Sequence, residues 1–145
     1  MIRVQRDDFD VGLEIKQLSH GRHDLGAIVT FTGTVRGGDI AELTLEHYPG
    51  MTERELTRIE QEARARWPIS EILIVHRYGT LRPGDNIVLV VTASAHRQAA
   101  FDAAQFLMDY LKTAAPFWKS ETRSSGDRAW VDAKTTDDHA AKRWK

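Results

Sequence analysis

The sequence predicts a single mixed α+β domain, and three observations support this prediction. The chain has 145 residues, enough for one hydrophobic core and short of the length at which a second core becomes common. The spacing of its apolar residues changes several times between a period of two, typical of strands, and about 3.6, typical of helices. It contains no internal repeat and no low-complexity linker. We therefore expect residues 1–145 to form one domain.

The N-terminal part predicts a short strand and an amphipathic helix. Ile2–Gln5 has the length and composition of a strand. Apolar residues spaced for one face of a helix follow it, namely Val11, Ile15 and Leu18. We expect this helix to end by Gly21.

Two further strands are predicted next, on either side of a glycine-rich turn. Residues 26–36 alternate between apolar side chains on one face and threonines on the other, so Arg36 ends the strand on its polar face. Residues 43–48 predict the second strand. We expect the two strands to pair across the turn at residues 37–39.

The middle of the chain predicts a surface helix at residues 51–67, ended by Pro68. Its apolar stripe consists of Leu56, Ile59 and Ala63. Thr52 and Glu55 have the T-x-x-E spacing of a capping box. Nothing in this helix indicates a role beyond packing.

An antiparallel pair of apolar strands is predicted at residues 71–78 and 86–94, joined by a turn at residues 82–85. The second strand contains the run IVLVV, which is apolar on both faces. Such a strand is typical of the centre of a sheet.

The C-terminal part predicts a third helix, from about Ala95 to Thr113. Pro116 prevents its regular continuation, because proline lacks an N–H donor and clashes with the preceding turn. The tail then offers a short strand at Trp130–Val131 and a terminal helix through Trp144.

The composition excludes several classes of function. Lys plus Arg number 20 against 21 Asp plus Glu, and the net charge of −1 gives no overall attraction to nucleic acid or an anionic membrane. The absence of cysteine excludes disulfides, thiolate metal sites and a cysteine nucleophile. No run approaches the ~18 apolar residues of a membrane span, and the N-terminus lacks an apolar signal core. We therefore expect a cytoplasmic protein.

The common catalytic and metal-binding motifs are also absent from the sequence. It has no P-loop, GxGxxG, G-x-S-x-G or HExxH motif. His20 and His23 have a spacing seen in metal sites, but no partner ligands lie nearby in the sequence, so we expect a solvated loop. Glu46 and His47 point to opposite faces of a strand and make a weak acid–base pair. We expect neither a metal nor a cofactor.

Two lysines stand in unusual positions on either side of Pro116. Lys112 lies at the border of the apolar stripe of the third helix, where a side chain that merely covers apolar surface would be ordinary. Lys119 follows two aromatic residues that need burial, and a lysine in partly desolvated surroundings can serve in acid–base or covalent chemistry. An exposed loop lysine is the alternative, and the spacing leaves both interpretations open.

Arg97 falls in the first turn of the third helix, where the helix dipole disfavours a cation. An anion should therefore compensate its charge. If Ser94 is the N-cap, the free N–H groups after it, together with His96 and Arg97, would form a site for phosphate or carboxylate. A salt bridge to an acidic residue of the same chain is the alternative.

Six stretches of the sequence together resemble one known family. They are FTGTVR (31–36), LTLEHYPGMTE (43–53), HRYGTLRPGD (76–85), SAHRQAAFDAAQFLMDYLK (94–112), PFWKSE (116–121) and WVDAK (130–134). In this arrangement they resemble the large, catalytic subunit of molybdopterin synthase, the MoaE family. The resemblance extends from about Gly26 to Trp144.

The resemblance implies an α/β-hammerhead fold with mainly antiparallel sheets and about three helices. It implies a homodimer in which each subunit binds a small ubiquitin-like sulfur carrier, giving a heterotetramer. The carrier's Gly-Gly C-terminus, present as a thiocarboxylate, would enter a pocket and supply two sulfurs to cyclic pyranopterin monophosphate. The product would be the dithiolene of molybdopterin, which makes the protein a sulfurtransferase of molybdenum cofactor biosynthesis.

The resemblance also implies which residues form the site. The functional lysines of the family match Lys112 and Lys119, which would neutralise the thiocarboxylate, assist proton transfer or attack the carrier's carbonyl. The residues expected to bind the substrate are Thr34, Val35, Arg36, His96, Arg97, Ser120, Glu121 and Lys134. Among these, Arg36, His96 and Arg97 would hold the phosphate and the pterin.

Two departures from the family pattern bear on the site. Relatives often have arginine where this sequence has Lys134, so the charge is kept while a bidentate contact is lost. The loop after Arg36 is short and glycine-rich, so contacts from this loop would be missing or supplied by the second subunit.

Two other functions compete with this interpretation. A non-catalytic, anion-binding scaffold subunit of the same complex would keep the fold without the chemistry, although the presence of both lysines argues against it. A Schiff-base enzyme of unrelated fold would use one lysine covalently and would be trapped by borohydride.

Overall fold

A computed structural model of the chain describes residues 1–131 and 135–145. Within this part of the chain, strands and helices follow one another in the order β-α-β-β-α-β-β-β-α-β-β-α. Their bounds are β1 Ile2–Gln5, α1 Val11–Ser19, β2 Ala27–Thr34, β3 Ile40–His47, α2 Met51–Arg66, β4 Glu71–Arg77, β5 Gly79–Leu81, β6 Asn86–Ser94, α3 Arg97–Leu111, β7 Phe117–Arg123, β8 Arg128–Val131 and α4 Thr135–Lys142.

The strands form two four-stranded sheets, with the orders β1-β4-β6-β2 and β5-β3-β7-β8. Every pairing is antiparallel except the parallel pair of β1 and β4. The predicted α+β class with mainly antiparallel sheets is confirmed. The predicted pair of β4 and β6 is present, and the doubly apolar β6 lies inside its sheet, as expected.

The predicted pairing of β2 with β3 is wrong. β2 pairs with β6, whereas β3 pairs with β5 and β7 in the other sheet. After β2 the chain binds the turn before β6, because the N–H of Val35 donates to Asp85 O and Gly84 donates back to Val35 O. Val35 is buried with apolar residues of β3 and β5, so the chain crosses between the sheets at this point instead of forming a hairpin.

Both faces of the first sheet are covered by helices. The largest apolar cluster lies between this sheet and helices α2 and α3, and includes Leu56, Ile74 and Phe106. A second cluster, including Phe9 and Val91, packs on the face that α1 covers. The double coverage explains why β4 and β6 are apolar on both faces.

The predicted capping box of α2 is wrong in its residues. The N–H of Gly50 donates to the carboxylate of Glu53 at 2.6 Å, so the box begins two residues earlier than predicted. Thr52 is buried, and its hydroxyl donates to Tyr48 O at 2.9 Å. Gly50 has φ 83°, a conformation that glycine adopts without strain.

The C-terminal segment is attached to α3 through a buried carboxylate. Asp109 is 6% exposed and accepts hydrogen bonds from Trp144 Nε1 at 2.6 Å and from Gln105 Nε2 at 3.0 Å. Arg143 Nε lies 3.4 Å from the same carboxylate. This attachment holds the end of α4 against α3.

Replacing Trp144 with Phe should lower the free energy of unfolding by about 1–2 kcal/mol, because the buried carboxylate of Asp109 loses an N–H donor while an aromatic ring is kept. Denaturant unfolding followed by circular dichroism measures the change. Trp130→Phe is the matched control: Trp130 is exposed, so its replacement should change stability by less than about 0.5 kcal/mol. Equal effects at the two positions would contradict the role of Asp109.

None of the helices in the described part of the chain combines the length and apolarity that crossing a membrane requires.

Candidate functional site

A cavity of about 340 Å³ lies between the two sheets, at the C-terminal end of α3. Its apolar lining comes from both sheets and from α3, and includes Leu45, Val88 and Met108. Its polar lining consists of Thr34, His76, Lys112, Lys119 and Asp137. We refer to it as the lysine cavity. Polar and apolar groups contribute about equally to its wall, which suits a small polar or charged ligand.

Lys112 reaches the lysine cavity from the end of α3. It is the C-cap residue, and its N–H donates to Met108 O at 3.1 Å. The preceding residue, Leu111, is buried, so Lys112 lies at the border between core and solvent, as predicted. The C-terminal end of a helix dipole favours a cation at this position.

Lys119 reaches the same cavity from the second sheet. The segment after Pro116, for which no regular structure was predicted, forms strand β7. Lys119 is half-buried there and lies opposite Leu45 of β3 and Val131 of β8, both of which line the cavity. Directly opposite residues of antiparallel strands share a face, so the three side chains point the same way. The two lysines thus enter one space from different elements.

The lysine cavity of one chain does not include Arg36, His96 or Arg97 among its lining residues. Arg36 is exposed, two residues beyond the cavity-lining Thr34. His96 and Arg97 are exposed at the N-terminal end of α3, which is 15 residues long. At 1.5 Å per residue this helix separates them from Lys112 by roughly 22 Å. Within one chain, His96 and Arg97 therefore do not lie at the same cavity as the two lysines.

The N-cap of α3 also differs from the prediction. His96 occupies this position, with extended backbone angles, and its side chain makes no capping hydrogen bond. Ser94 is instead the last residue of β6, where it is buried and donates to Pro68 O at 2.9 Å. Ser94 therefore does not cap α3, and His96 precedes its first residue instead.

The remaining predicted residues surround Lys119 or Thr34 without lining the cavity. Val35 is buried between the sheets, next to Thr34. Ser120 is buried on the opposite face of β7 and accepts a hydrogen bond from Arg128 Nε at 3.1 Å. Glu121 is half-buried on the same face of β7 as Lys119. The prediction for Lys134 lies outside the described residues.

His76 is a cavity residue that the sequence reasoning missed. By alternation along β4 it shares a face with Ile72 and Ile74, both of which belong to the main apolar cluster. A histidine that continues an apolar row is the signal that could have identified it. Its ring stacks on Phe117, with centroids 3.7 Å apart and planes at 16°.

Burial lowers the pKa of His76 from its ordinary value of 6.5 to about 4. The hydrogen bond of its ring with Arg77 O opposes this shift, and the positive charges of Lys112 and Lys119 contribute to it. The imidazole is therefore neutral at neutral pH. A protonated ring would add a third cation to a cavity that already contains two.

This shift predicts how stability depends on pH. The unfolded chain binds a proton on His76 near pH 6.5, whereas the native protein binds it near pH 4, so stability is lost as the pH falls between these values. From about pH 7.5 to about pH 5 the contribution of this group should fall by about 2 kcal/mol. Urea unfolding at both pH values measures it.

The variant His76→Gln provides the comparison, because all other titrating groups are common to both proteins. The wild type should lose about 2 kcal/mol more than the variant over the same pH interval. Equal losses would show that His76 is not held neutral in the native protein.

Comparisons with known proteins agree with the sequence resemblance. A family profile described as MoaE protein matches residues 4–114. A curated molybdopterin synthase catalytic subunit from Mesorhizobium japonicum is 59% identical over 147 aligned positions, covering 99% of this chain and 92% of the relative.

Solved structures share the fold. The molybdopterin biosynthesis MoaE protein from Burkholderia ambifaria is 51% identical, with a TM-score of 0.86, and the match covers 99% of this chain and 97% of that one. A protein–protein complex of subunits 1 and 2 of molybdopterin-converting factor from Helicobacter pylori contains a chain that is 19% identical. Its TM-score of 0.77, over 92% of this chain and 91% of that one, shows the common fold alone.

Proposed function

The chain belongs to the MoaE protein family, and on this premise we propose that its lysine cavity receives a thiocarboxylated carrier tail whose sulfur passes to cyclic pyranopterin monophosphate. The prediction of a sulfur-transferring enzyme of molybdenum cofactor biosynthesis is confirmed by the family and by the relatives named molybdopterin synthase catalytic subunit.

The roles proposed for these residues rest on one observation, namely that Lys112 and Lys119 line the same cavity. Two cations that approach from a helix end and from a strand can face an anion from two directions. A thiocarboxylate is such an anion, and in a partly buried cavity its attraction to the ammonium groups is stronger than in water. The carrier's sulfur would be held there in its nucleophilic, deprotonated form.

In the proposed reaction the thiocarboxylate sulfur replaces an oxygen substituent on a carbon of the pterin side chain: the C–S bond forms, a C–O bond of the same carbon breaks, and the oxygen leaves as water or with phosphate, giving a thioester between carrier and substrate. Water then attacks the carrier's carbonyl carbon, and the bond between this carbon and sulfur breaks. Sulfur stays on the pterin and the carrier leaves as a carboxylate. Lys112 and Lys119 stabilise the negative charge that develops on oxygen and sulfur, and can supply a proton.

The proposed partner is a small ubiquitin-like carrier that ends in Gly-Gly, encountered in the cytoplasm. The Helicobacter pylori relative is described as a complex of two subunits, which supports a two-component assembly. A tail without side chains suits the cavity, because the cavity measures only about 340 Å³ and side chains of Lys112, Lys119 and Phe117 already form part of its wall. Glycines also let the backbone approach the cavity wall closely.

We assign Arg36, His96 and Arg97 to binding the phosphate and the pterin. Since α3 separates His96 and Arg97 from the lysines of their own chain, these two residues would act at the cavity of a second copy. A homodimer with one carrier on each subunit satisfies this requirement. Arg36, close to the cavity-lining Thr34, would complete the anion site from the same chain as the lysines.

Supporting roles remain for the other predicted residues. Val35 would hold Thr34 at the cavity, because it is buried at the crossing between the sheets. Ser120 and Glu121 would hold Lys119 in place through the strand they share with it. Lys134 is proposed as a weaker substitute for the arginine that relatives often have.

The test is reconstitution of the reaction from purified components. The protein is mixed with a thiocarboxylated carrier and cyclic pyranopterin monophosphate, and dithiolene formation is followed in a single turnover. Product formation is expected. A stable complex without product would favour the non-catalytic scaffold, and borohydride trapping of a lysine adduct with the pterin would favour Schiff-base chemistry.

A further inference from the structure

His76 lines the lysine cavity at a position of β4 where the alternation of the strand predicts an apolar residue. It follows Ile72 and Ile74 on the face of β4 that points toward α3, and only 8% of its surface is exposed. Placing a polar ring in such a row costs free energy unless the ring is hydrogen-bonded. Nδ1 meets this condition through Arg77 O, which leaves Nε2 as the ring atom that packing does not explain.

The hydrogen bonding of the ring determines its tautomer. Nδ1 lies 2.8 Å from the main-chain carbonyl oxygen of Arg77, which can only accept, so Nδ1 carries the proton. In the neutral ring Nε2 is then an acceptor. The flat face of the imidazole ring stacks on Phe117, which is the first residue of β7 and lies two residues before Lys119.

Charged and titratable groups face this ring from the surrounding elements. They are Lys112 at the C-cap of α3, Lys119 on β7 and His47 on β3, and Asp137 of α4 lines the same cavity. The two lysines carry ammonium donors, and the neutral Nε2 is an acceptor on the wall of the same cavity. Neutrality of the ring at neutral pH, which its burial enforces, keeps this acceptor available.

We propose that His76 is a positioning residue for sulfur transfer: its Nε2 offers a hydrogen-bond acceptor to the lysine pair once the cavity holds the carrier tail, while its ring, stacked on Phe117, holds the start of β7. Both contacts would fix the positions from which the two ammonium groups approach the thiocarboxylate. The proposal rests on the function proposed above, because it assigns those charges to the reaction. It needs no new reactant and no bond change at His76.

Two substitutions separate the acceptor from the ring. His76→Phe keeps an aromatic ring for the stack on Phe117 and removes the acceptor, whereas His76→Gln keeps a polar acceptor and removes the ring. His47→Phe is the matched control, since His47 also lies near Phe117, at 6.1 Å between ring centroids, but does not line the cavity. Should His76→Phe fail to fold, His76→Met fills the apolar row without a nitrogen.

The expected result in the reconstituted assay is a fall in the turnover rate of His76→Phe by about tenfold, with KM for the carrier nearly unchanged. His76→Gln, which keeps an acceptor, should recover part of the turnover rate, whereas His76→Met, which has none, should not. Equal losses of rate in His76→Gln and His76→Phe would overturn the proposal.

A second readout does not depend on activity. The wild type and variants are treated with an amine-acylating reagent at one alkaline pH, and the acylation of Lys112 and Lys119 is measured by mass spectrometry. At least one of them should react about fivefold faster in His76→Phe, since its amine is no longer engaged by Nε2. Unchanged reactivity would overturn the role of His76 even if sulfur transfer is established. Absence of product from the wild type would instead count against the proposed function.

Discussion

Lys119→Ala should reduce single-turnover molybdopterin formation by at least about 10²-fold while leaving the fold intact. Lys119 is half-buried on a central strand of the second sheet and faces the lysine cavity. Its removal would leave the proposed thiocarboxylate facing Lys112 alone in a partly buried cavity, where the loss of one of two counter-charges is costly. Rapid-quench measurement of the dithiolene product gives the rate, and circular dichroism reports the fold.

Two controls bracket this result. Lys16→Ala removes an exposed lysine of α1, far in the chain from the cavity, and should leave the rate unchanged. Lys119→Arg keeps a cation of different shape and should retain more activity than the alanine variant. If Lys119→Ala formed product at the wild-type rate with its fold intact, the lysine would have no part in the transfer.

A mixture of two inactive variants should recover activity if the site is built from two chains. Arg97→Ala and Lys119→Ala are each expected to be nearly inactive as homodimers. In a mixed dimer, one cavity combines Lys119 of the Arg97→Ala chain with Arg97 of the Lys119→Ala chain and is therefore complete. The other cavity lacks both residues. Random pairing makes half of the dimers mixed, so about a quarter of wild-type activity is expected.

The control for this experiment mixes Lys112→Ala with Lys119→Ala. These residues line the cavity of one chain, so every site of such a mixed dimer lacks one lysine and no recovery is expected. Co-expression with two different affinity tags isolates the mixed dimers for a direct assay. No recovery from the pair Arg97→Ala and Lys119→Ala would show that the site lies within one chain, or that Arg97 acts elsewhere.

Most elements could be predicted from the sequence because the signals are local. The strands at Ile2–Gln5 and Trp130–Val131, the antiparallel pair of β4 and β6, and the end of α3 before Pro116 are all present. Each depends on periodicity or on a residue that excludes one backbone conformation. The helix caps of α2 and α3 were misplaced, since several polar residues near each helix start could cap it and tertiary contacts decided among them.

Strand pairing was predicted less well, because it depends on partners distant in the sequence. A short glycine-rich link between β2 and β3 is typical of a hairpin. Here the backbone of Val35 instead forms hydrogen bonds with the turn before β6. Its side chain is buried against β3 and β5. The free energy gained by burying Val35 depends on side chains that sequence spacing does not bring together.

The sequence by itself determined that the chain is an α+β domain, that it has no thiol of its own, and that two lysines flank a helix stop. Its resemblance to one family supplied the reaction. Only the tertiary structure decided that Lys112 and Lys119 share a cavity, that Arg97 lies at the far end of the same helix, and that His76 joins the lysines. The physical reason is that a site forms where side chains from distant parts of the chain meet in space. The length of a helix gives the distance between its two ends directly. Which strand faces that helix, in contrast, depends on the packing of the whole core.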